Sequence, residues 1–435
     1  MKHLFNKLIT FINSIRSNIA FYPTLLAAFG FNFAFFMIYL EDRGISTYLL
    51  EAVPVLVVDN GNTALALLSS FITGLISMMV FSFSMVMVLL NQASSNYSPR
   101  LLPGLISDKN HQVILGIYLF TILYCIFILF SIQPTGDKYQ IPGFSVLLGI
   151  LFTAVCICAF IYFIHNISHN IQINNILDKI FHLAEKRLKH LIDSEEMGEK
   201  DFPDTSGWYE YHTEKTGYFQ NIALTNVVDI CEKKETKLEI LPVKGIFVLK
   251  GIPVFKSEKE LDKETIKDFL SNFNFARGEL VEDNYTLAFK QITEIIVKAM
   301  SPGINDPGTA LNGIDYLMEL FALRMKKKDE SIISRDEKNY VKLTTVNFEE
   351  LMYNVISSIR VYGKHDVSLV QKLSTMFLYL KSQEAVHSYY YEIIDKEATT
   401  LLEDARDAIT NKSDLKIIEK LARKLSLNTN KFQLE

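Results

Sequence analysis

The chain has 435 residues, of which 49% are hydrophobic and 21% are charged, and its formal net charge is −5. Its first 167 residues contain only seven basic and six acidic side chains, whereas the remainder contains 37 basic and 43 acidic ones. This division excludes a single soluble domain, an intrinsically disordered chain and a basic nucleic-acid-binding protein. It indicates a membrane part followed by a large charged part.

The first 167 residues are predicted to form a domain of four transmembrane helices. A bilayer-spanning helix needs about 20 apolar residues, and four uncharged segments are that long, at about 17–40, 63–90, 113–133 and 144–167. The first segment is interpreted as a retained helix, because its apolar stretch is too long for a signal peptide.

Charges in the short loops predict how these helices cross the membrane. Lys2, Lys7 and Arg16 precede the first helix, whereas the loop after it is mainly acidic. Basic residues accumulate on the cytoplasmic side of a membrane, so both termini are predicted to be cytoplasmic. The outer loop also supplies acidic candidates for the mouth of a channel, which are Glu41, Asp42 and Asp59.

The second uncharged segment carries a regular line of small polar residues. From Asn60 to Pro99 there is no charged residue, and as a helix this length would span about 60 Å, roughly twice a hydrocarbon core. Small polar side chains recur there at intervals of seven residues, at Thr63, Ser70, Ser77, Ser84, Asn91 and Ser98. Because a seven-residue step stays on one helix face, one face is predicted to be small and polar.

Two roles are compatible with this polar face. Small residues and hydroxyls allow membrane helices to pack closely, or the face lines a water-filled pore in a homo-oligomer. The pore-lining candidates are Thr63, Ser70, Thr73, Ser77, Ser84 and Asn91. No Asp, Glu, Lys or Arg lies within the four spans. Active transport is therefore not expected, because pumps usually need ionisable groups inside the membrane.

The charged part of the chain is predicted to be a cytoplasmic α+β domain. A helical stalk at 168–196 leads to a small mixed α/β subdomain at 197–283, and a helical subdomain follows at 284–435. The predicted strands lie at 218–222, 237–241, 245–249 and 251–255. The predicted helices lie at 223–234, 258–270, 284–300, 307–328, 347–361, 366–382, 384–410 and 413–425. The basic run Lys326–Lys328 is interpreted as a solvated helix end.

One break between predicted helices consists of strong turn-forming residues. These are Ser301, Pro302, Gly303, Ile304, Asn305, Asp306 and Pro307. Pro302 is expected to end one helix, and Gly303 is expected to supply a left-handed residue. Asp306 is a good N-cap for the next helix, with Pro307 at its first position. The break is therefore either a helical corner or a rigid loop that presents a helix N-terminus to an anion, a neighbouring subunit or the membrane.

Histidine and cysteine spacing favours no metal site. His165 and His169 are four residues apart without a third ligand nearby, so they are interpreted as a polar pair where the fourth helix leaves the membrane. The four cysteines form no C-x-x-C pair, which favours neither a zinc site nor a disulfide framework. No metal and no cofactor are predicted.

The break at 301–307 resembles the signature of a bacterial predicted-membrane-protein family catalogued as domain of unknown function 2254, and we call it the hallmark loop. Three other pieces are similar to that family: Ser98–Leu102 after the serine-rich helix, Gly217–Gln220 in a predicted strand, and Asp283–Phe289 before the loop. The resemblance implies four spans plus a cytoplasmic domain in the bacterial inner membrane. It implies no activity.

The polar face, the uncharged spans and the acidic outer loop lead to the first functional hypothesis, a homo-oligomeric passive pore. Inorganic cations are favoured, because acidic residues at a mouth concentrate them. The alternative is a membrane-anchored regulatory protein whose cytoplasmic domain binds a ligand or partner. An enzyme is not expected, since no nucleophile elbow, phosphate loop or metalloprotease motif is present. The expected partners are the lipid bilayer and further copies of the chain, and no nucleic acid.

Overall fold

The computed structural model describes residues 20–52, 58, 60–96, 109–132, 141–170, 172–194, 202–277, 284–336 and 338–425. The chain forms two compact units, which comprise residues 1–175 and 176–435.

The amino-terminal unit is helical. Its helices are α1 (Phe21–Asp42), α2 (Ile45–Ala52), α3 (Gly61–Asn96), α4 (Lys109–Ser131) and α5 (Gly143–Asn170). All except α2 are long and apolar enough to cross a membrane, which confirms the four predicted membrane helices. The longest, α3, has 36 residues, so it exceeds the roughly 20 residues that a bilayer requires.

Two glycines bring α1 and α4 into close contact. A Cβ atom added at Gly30 of α1 would lie 2.6 Å from the carbonyl oxygen of Phe120 in α4. On the opposite helix, a Cβ added at Gly116 would lie 2.5 Å from the side chain of Leu26. Small residues let membrane helices approach until their backbones touch, and any larger side chain at Gly30 would force α1 and α4 apart.

The amino terminus of α5 is capped by residues from a distant part of the chain. The Glu41 carboxylate accepts a hydrogen bond from the Ser145 backbone N–H at 2.8 Å and another from the Ser145 hydroxyl at 2.6 Å. The Ser46 hydroxyl accepts from the Phe144 N–H at 2.8 Å and donates to Glu41 at 2.5 Å. The end of α1 and the start of α2 together therefore satisfy backbone donors that α5 leaves free.

Replacing Glu41 with alanine is expected to destabilise the protein by about 1 kcal/mol, since it removes the acceptors that cap α5. The measurement is the midpoint of thermal unfolding of the full chain in detergent. Asp42→Ala is the matched control, because Asp42 is the adjacent acidic residue and is exposed. Equal effects of the two substitutions would contradict a capping role for Glu41.

The carboxy-terminal unit contains two sheets. Its strands are β1 (Tyr209–His212), β2 (Gly217–Ile222), β3 (Leu238–Ile240), β4 (Phe247–Val248), β5 (Pro253–Ser257), β6 (Phe273–Ala276), β7 (Ser331–Arg335) and β8 (Lys338–Leu343). One sheet has the order β1-β5-β3-β8-β7 and the other β4-β2-β6. Within the larger sheet β3 and β8 run parallel and the other neighbours run antiparallel, so the sheet is mixed, as predicted.

Helices make up the rest of this unit. They are α6 (Ile173–Ser194), α7 (Leu224–Lys234), α8 (Lys263–Ser271), α9 (Tyr285–Ala299), α10 (Pro307–Arg324), α11 (Phe348–Gly363), α12 (Val367–Lys381), α13 (Tyr389–Ala408) and α14 (Lys412–Lys424). The bundle predicted after the sheet is thus present. Helix α6 begins at Ile173, whereas α5 ends at Asn170. Its apolar face is buried, with the Phe181 ring 5.6 Å from that of Tyr316 in α10.

The structure corrects the expectation that the chain is helical throughout from residue 284. Strands β7 (Ser331–Arg335) and β8 (Lys338–Leu343) instead form a hairpin, in which Asp336 has a left-handed conformation. The β-branched pair Ile332–Ile333 and Tyr340–Val341 favour strands, but the charged residues around them conceal the alternation. Two further strands, β1 and β6, were also missed, although their sequences YEYH and FNFA alternate with a period of two.

The core of the sheet region is aromatic and aliphatic. Phe255 of β5 is fully buried, and its ring lies 5.5 Å from Phe269 of α8 and 5.9 Å from Phe273 of β6. Cys231 of α7 is also fully buried in this cluster. Burial raises the pKa of its thiol to about 12, so Cys231 stays protonated and acts as a core residue rather than a nucleophile.

An ion pair between Arg324 and Asp329 joins three helices to the segments that flank the β7–β8 hairpin. Arg324, at the end of α10, is fully buried and donates to the Asp329 carboxylate, to the Lys327 carbonyl at 2.8 Å and to the Val346 carbonyl at 3.1 Å. Asp329 also accepts from the Phe348 N–H at the start of α11, at 2.9 Å. Within the described residues this cluster, which we call the Arg324 cluster, connects elements far apart in sequence.

Tyrosines of α13 complete the Arg324 cluster. The Tyr389 hydroxyl donates to Asp329 at 2.6 Å, and the Tyr390 hydroxyl donates to the Lys327 carbonyl at 3.1 Å. Lys327 itself is buried and donates to the Lys328 carbonyl at 2.7 Å. The interpretation of residues 326–328 as a solvated helix end is therefore wrong for Lys327, because neighbouring carbonyl oxygens replace its water.

Candidate functional site

The small polar residues of α3 lie on its exposed face. All six pore-lining candidates are exposed: Thr63, Ser70, Thr73, Ser77, Ser84 and Asn91. Helix α3 runs from Gly61 to Asn96, so all six candidates lie within it. Ser98, the last member of the seven-residue series, lies outside the described residues.

A second seven-residue series lies on the opposite side of α3 and is buried. It consists of Leu68, Leu75 and Ser82, each of which precedes a polar candidate by two residues. Two residues correspond to about 200° around a helix, so the buried series and the polar series are nearly opposite. Leu68 packs in a cluster of the same unit that contains Cys125, and Leu75 packs in one that contains Cys156. The polar face consequently points away from its own bundle.

The hydroxyl groups on this face bond within their own helix. Ser70 donates to the Ala66 carbonyl at 2.8 Å, and Ser77 donates to the Thr73 carbonyl at 2.9 Å. Thr73 donates to the Ser69 carbonyl at 2.9 Å. Because each hydroxyl proton is directed to the backbone, the oxygen lone pairs remain available as acceptors. The face therefore offers a column of neutral oxygens that can accept from water or coordinate a cation.

The middle of the face is open to close approach by another chain. A Cβ added at Gly74 would meet no atom within 4 Å. The exposed side chains Phe81 and Val88 are each four residues after a candidate serine, so they lie on the same side of the helix as the polar series. The exposed surface thus combines small polar positions with apolar ones.

The acidic candidates for an outer mouth differ in environment. Glu41 is committed to capping α5, as described above, whereas Asp42 is exposed. Asp59 lies outside the described residues. The sequence alone did not indicate the capping role of Glu41, because its partner Ser145 is 104 residues away.

The hallmark loop forms a tight corner between α9 and α10. The Asp306 carboxylate accepts from the Thr309 N–H at 3.1 Å and from the Thr309 hydroxyl at 2.6 Å. Pro307 occupies the first turn of α10. The Asp306 N–H donates to the Ala299 carbonyl at 2.8 Å, and the Asn305 N–H donates to the Ser301 carbonyl at 2.9 Å. Residues 302–308 are exposed.

The left-handed residue of this corner is Asn305, not Gly303. Asn305 has φ = +49°, and Gly303 is not among the residues with positive φ. Asparagine tolerates this conformation better than most side chains do, which explains how the corner forms without a glycine there. The geometry is that of a rigid corner whose apex residue Ile304 is 38% exposed.

Removing the cap of α10 is expected to weaken folding without unfolding the protein. Asp306→Ala should lower the free energy of unfolding by about 1 kcal/mol, whereas Asp306→Asn should retain most of the stability, because asparagine also caps helices well. Thermal unfolding of the full chain measures both. Loss of a transport or binding activity in Asp306→Ala at unchanged stability would instead assign the loop a functional role.

A groove in the carboxy-terminal unit is a second candidate site. Its volume is about 670 Å³, within the 300–1,000 Å³ typical of ligand sites. Helices α9 and α11 form its walls, and the turn at Lys244–Gly245 closes one end. Asn284 holds this turn by donating to the Lys244 carbonyl at 3.1 Å, and it also caps α9 through the Thr286 N–H at 3.2 Å. The lining mixes apolar side chains with Lys290, Glu294 and Asn354.

Within the described parts of the chain, no group of three or more histidine, cysteine or acidic side chains is placed to hold a metal ion. His165 is exposed near the end of α5, and the side chain of His169 lies outside the described residues. The residues that sequence reasoning missed are the Arg324 cluster and the Glu41 cap. Both depend on contacts between distant segments, and neither has a local motif.

Comparison with known proteins agrees with the membrane assignment. A family model described as "Predicted membrane protein (DUF2254)" matches residues 16–378. "Uncharacterized protein Mb1321c" of Mycobacterium bovis and "Uncharacterized protein Rv1290c" of Mycobacterium tuberculosis are each 22% identical to the chain over 311 residues. Each alignment covers 68% of this chain and 60% of the relative, so the chain spans about 60% of the length of these relatives. No solved structure matches it.

Proposed function

We propose that this chain, which belongs to the family of predicted membrane proteins DUF2254, forms a homo-oligomeric passive pore in a bacterial inner membrane. The observation that carries the proposal is the orientation of α3. Its small polar residues face away from the helices of their own unit, opposite the buried series of Leu68 and Leu75. A symmetric oligomer in which each subunit contributes this face encloses a polar axis.

The chemistry of the face favours cations over anions. Hydroxyl oxygens whose protons bond to the backbone, as in Ser70 and Ser77, present lone pairs rather than donors to the axis. Exposed Asp42, the last residue of α1, would raise the local cation concentration at the mouth. Apart from Glu41, Asp42 and Lys109 at the helix ends, the four membrane helices contain no Asp, Glu, Lys or Arg between residues 21 and 42, 61 and 88, 109 and 131, or 143 and 167, so no charged group within them could couple transport to an energy source. The proposed activity is therefore passive.

The proposal places both termini and residues 168–435 in the cytoplasm, on the basis of the basic residues before the first helix. A cysteine introduced at Tyr48, which is 73% exposed after α1, should react with a membrane-impermeant reagent added to intact cells. A cysteine at Gly207 should react only after the membrane is permeabilised. The reverse pattern would overturn the orientation.

The proposed pore is tested by reconstitution of the full chain. Purified protein should elute in detergent as an oligomer of defined size and should carry current in planar bilayers, with K⁺ more permeant than Cl⁻. A monomeric protein, or an intact oligomer that carries no current, would contradict the proposal.

The second candidate function is a membrane-anchored protein that binds a ligand, and the groove between α9 and α11 supports it. The groove has the volume of a ligand site and polar groups at its walls. The two functions are distinguished by pairing the conductance measurement with ligand-induced thermal shifts. A shift that Asn354→Ala abolishes, in a protein that carries no current, would favour the binding protein.

A further inference from the structure

Residues 244–252 comprise β4, which pairs with β2, and the turns that flank it at Gly245 and Gly251. This segment, which we call the apolar hairpin, exposes four large apolar side chains. Ile246, Phe247, Leu249 and Ile252 are between 48% and 56% exposed. Val248 between them is buried, so it anchors the segment in the core while the side chains on both sides of it face solvent. Soluble surfaces rarely cluster apolar residues in this way, and such clusters mark sites of interaction.

The exposed side chains are held in place by the backbone. The Gly245 N–H donates to the Phe219 carbonyl at 2.8 Å, and the Gly251 N–H donates to the Thr213 carbonyl at 2.8 Å. The Lys250 N–H donates to the Thr216 hydroxyl at 2.9 Å. Because both ends of the hairpin are fixed, its apolar side chains cannot fold back onto the core.

The apolar hairpin and the residues beside it are positively charged, whereas the chain as a whole is negatively charged. Residues 241–257 contain Lys244, Lys250 and Lys256 and no acidic residue, whereas the chain as a whole has a net charge of −5. Lys256 pairs with Glu210 at 3.0 Å, but Lys250 is exposed at the tip of the apolar hairpin. The adjacent turn adds one charge of each sign, Glu214 and Lys215. The tip therefore combines apolar side chains with a local excess of positive charge.

We propose that the apolar hairpin docks on the surface of an anionic lipid bilayer. Apolar side chains that enter the acyl boundary, beside lysines that contact lipid headgroups, are the features of interfacial membrane anchors. The same chain has four helices able to span a membrane, so the apolar hairpin is tethered to a bilayer and meets lipid at a high effective concentration. The occupant of this surface is therefore lipid, and the hairpin is a second attachment of the protein to the membrane.

The test uses a tryptophan as a reporter of lipid contact. The chain has a single tryptophan, so Trp208→Phe gives a background into which Leu249→Trp places one probe at the hairpin tip. The full chain is reconstituted in vesicles with anionic lipids, with and without brominated acyl chains that quench tryptophan on contact. Tyr379→Trp in the same background is the control, because Tyr379 is similarly exposed, at 56%, in α12.

If the apolar hairpin docks on lipid, the tryptophan at position 249 should show blue-shifted emission and strong quenching by brominated anionic lipid. The tryptophan at position 379 should show neither. Lys250→Glu, zwitterionic vesicles, or salt near 1 M, where the Debye length is about 3 Å, should each reduce the quenching. A blue shift without quenching would overturn the proposal, because protein then covers the hairpin. Solvent-like emission would overturn it as well. Ile252→Trp is the second probe, used if Leu249→Trp lowers thermal stability.

Discussion

Replacing Ser77 with leucine is expected to remove nearly all current from the reconstituted protein while the oligomer stays intact. Ser77 lies midway along the exposed polar face of α3, so the substitution places a ring of apolar side chains across the proposed axis. Narrow hydrophobic constrictions close a pore because water leaves them. The measurement pairs single-channel current with oligomer size in detergent.

Ser69→Leu is the matched control for this substitution. Ser69 is also an exposed serine of α3, but it lies about 80° around the helix from Ser77. The current should therefore persist in Ser69→Leu. Equal loss of current in both variants, or dissociation of the oligomer by Ser77→Leu alone, would show that the polar face packs helices together instead of lining a pore.

Ser77→Asp should instead keep the current and make it more selective for cations. A ring of carboxylates attracts cations, so the ratio of K⁺ to Cl⁻ permeability should rise. An aspartate at the centre of a lipid-facing helix costs about 2.5–3.5 kcal/mol on insertion scales. A pore-lining position avoids most of that cost, so unchanged expression and assembly of Ser77→Asp is part of the expected result.

The second large effect is expected at the Arg324 cluster. Arg324→Ala should destabilise the protein by about 3–5 kcal/mol, because it leaves the half-buried Asp329 carboxylate without its counterion. The measurement is thermal unfolding of the full chain in detergent. Arg423→Ala is the matched control, since Arg423 is 68% exposed and lies 3.9 Å from Glu419. Its removal should cost at most about 1 kcal/mol.

The Arg324 cluster predicts that the stability of the protein falls at acid pH. Burial opposes ionisation of Asp329, but the hydrogen bond from Tyr389 and the charge of Arg324 outweigh it and lower the pKa of the carboxyl. An unfolded aspartate has a pKa of about 3.9. The stabilisation is thus present above about pH 4 and is lost as the pH falls through the folded pKa. Wild type should lose more stability than Asp329→Asn below about pH 4, and parallel losses would contradict this.

Features set by a single segment could be predicted from the sequence. The four spans follow from the length of the uncharged stretches, and α3 shows its polar face because a seven-residue interval needs no partner to define it. The cap at Asp306 depends only on the residues from Asp306 to Thr309. Local chemistry also predicts a corner, although the left-handed residue proved to be Asn305.

Features that depend on distant partners could not be predicted. Arg324 resembles any basic residue at a helix end, and only the folded chain brings Asp329, Phe348 and Tyr389 around it. Glu41 resembles a loop carboxylate until Ser145 is placed beside it. The short strands of the β7–β8 hairpin lack buried alternation, since most of their residues are only partly buried. Strand β8 pairs with β3 and, in the part of the chain that the structure describes, β7 pairs only with β8.

The parallel pairing of β3 with β8 has a consequence for how the chain folds during synthesis. Leu238 lies opposite Val341, Glu239 opposite Lys342 and Ile240 opposite Leu343, so β3 acquires this neighbour only after about a hundred further residues have been made. Non-local pairing of this kind slows folding. Until then the edge of β3 is unpaired and open to wrong partners. A ribosome-bound chain that ends before β7 should therefore remain protease-sensitive around β3, and one that includes α11 should become resistant.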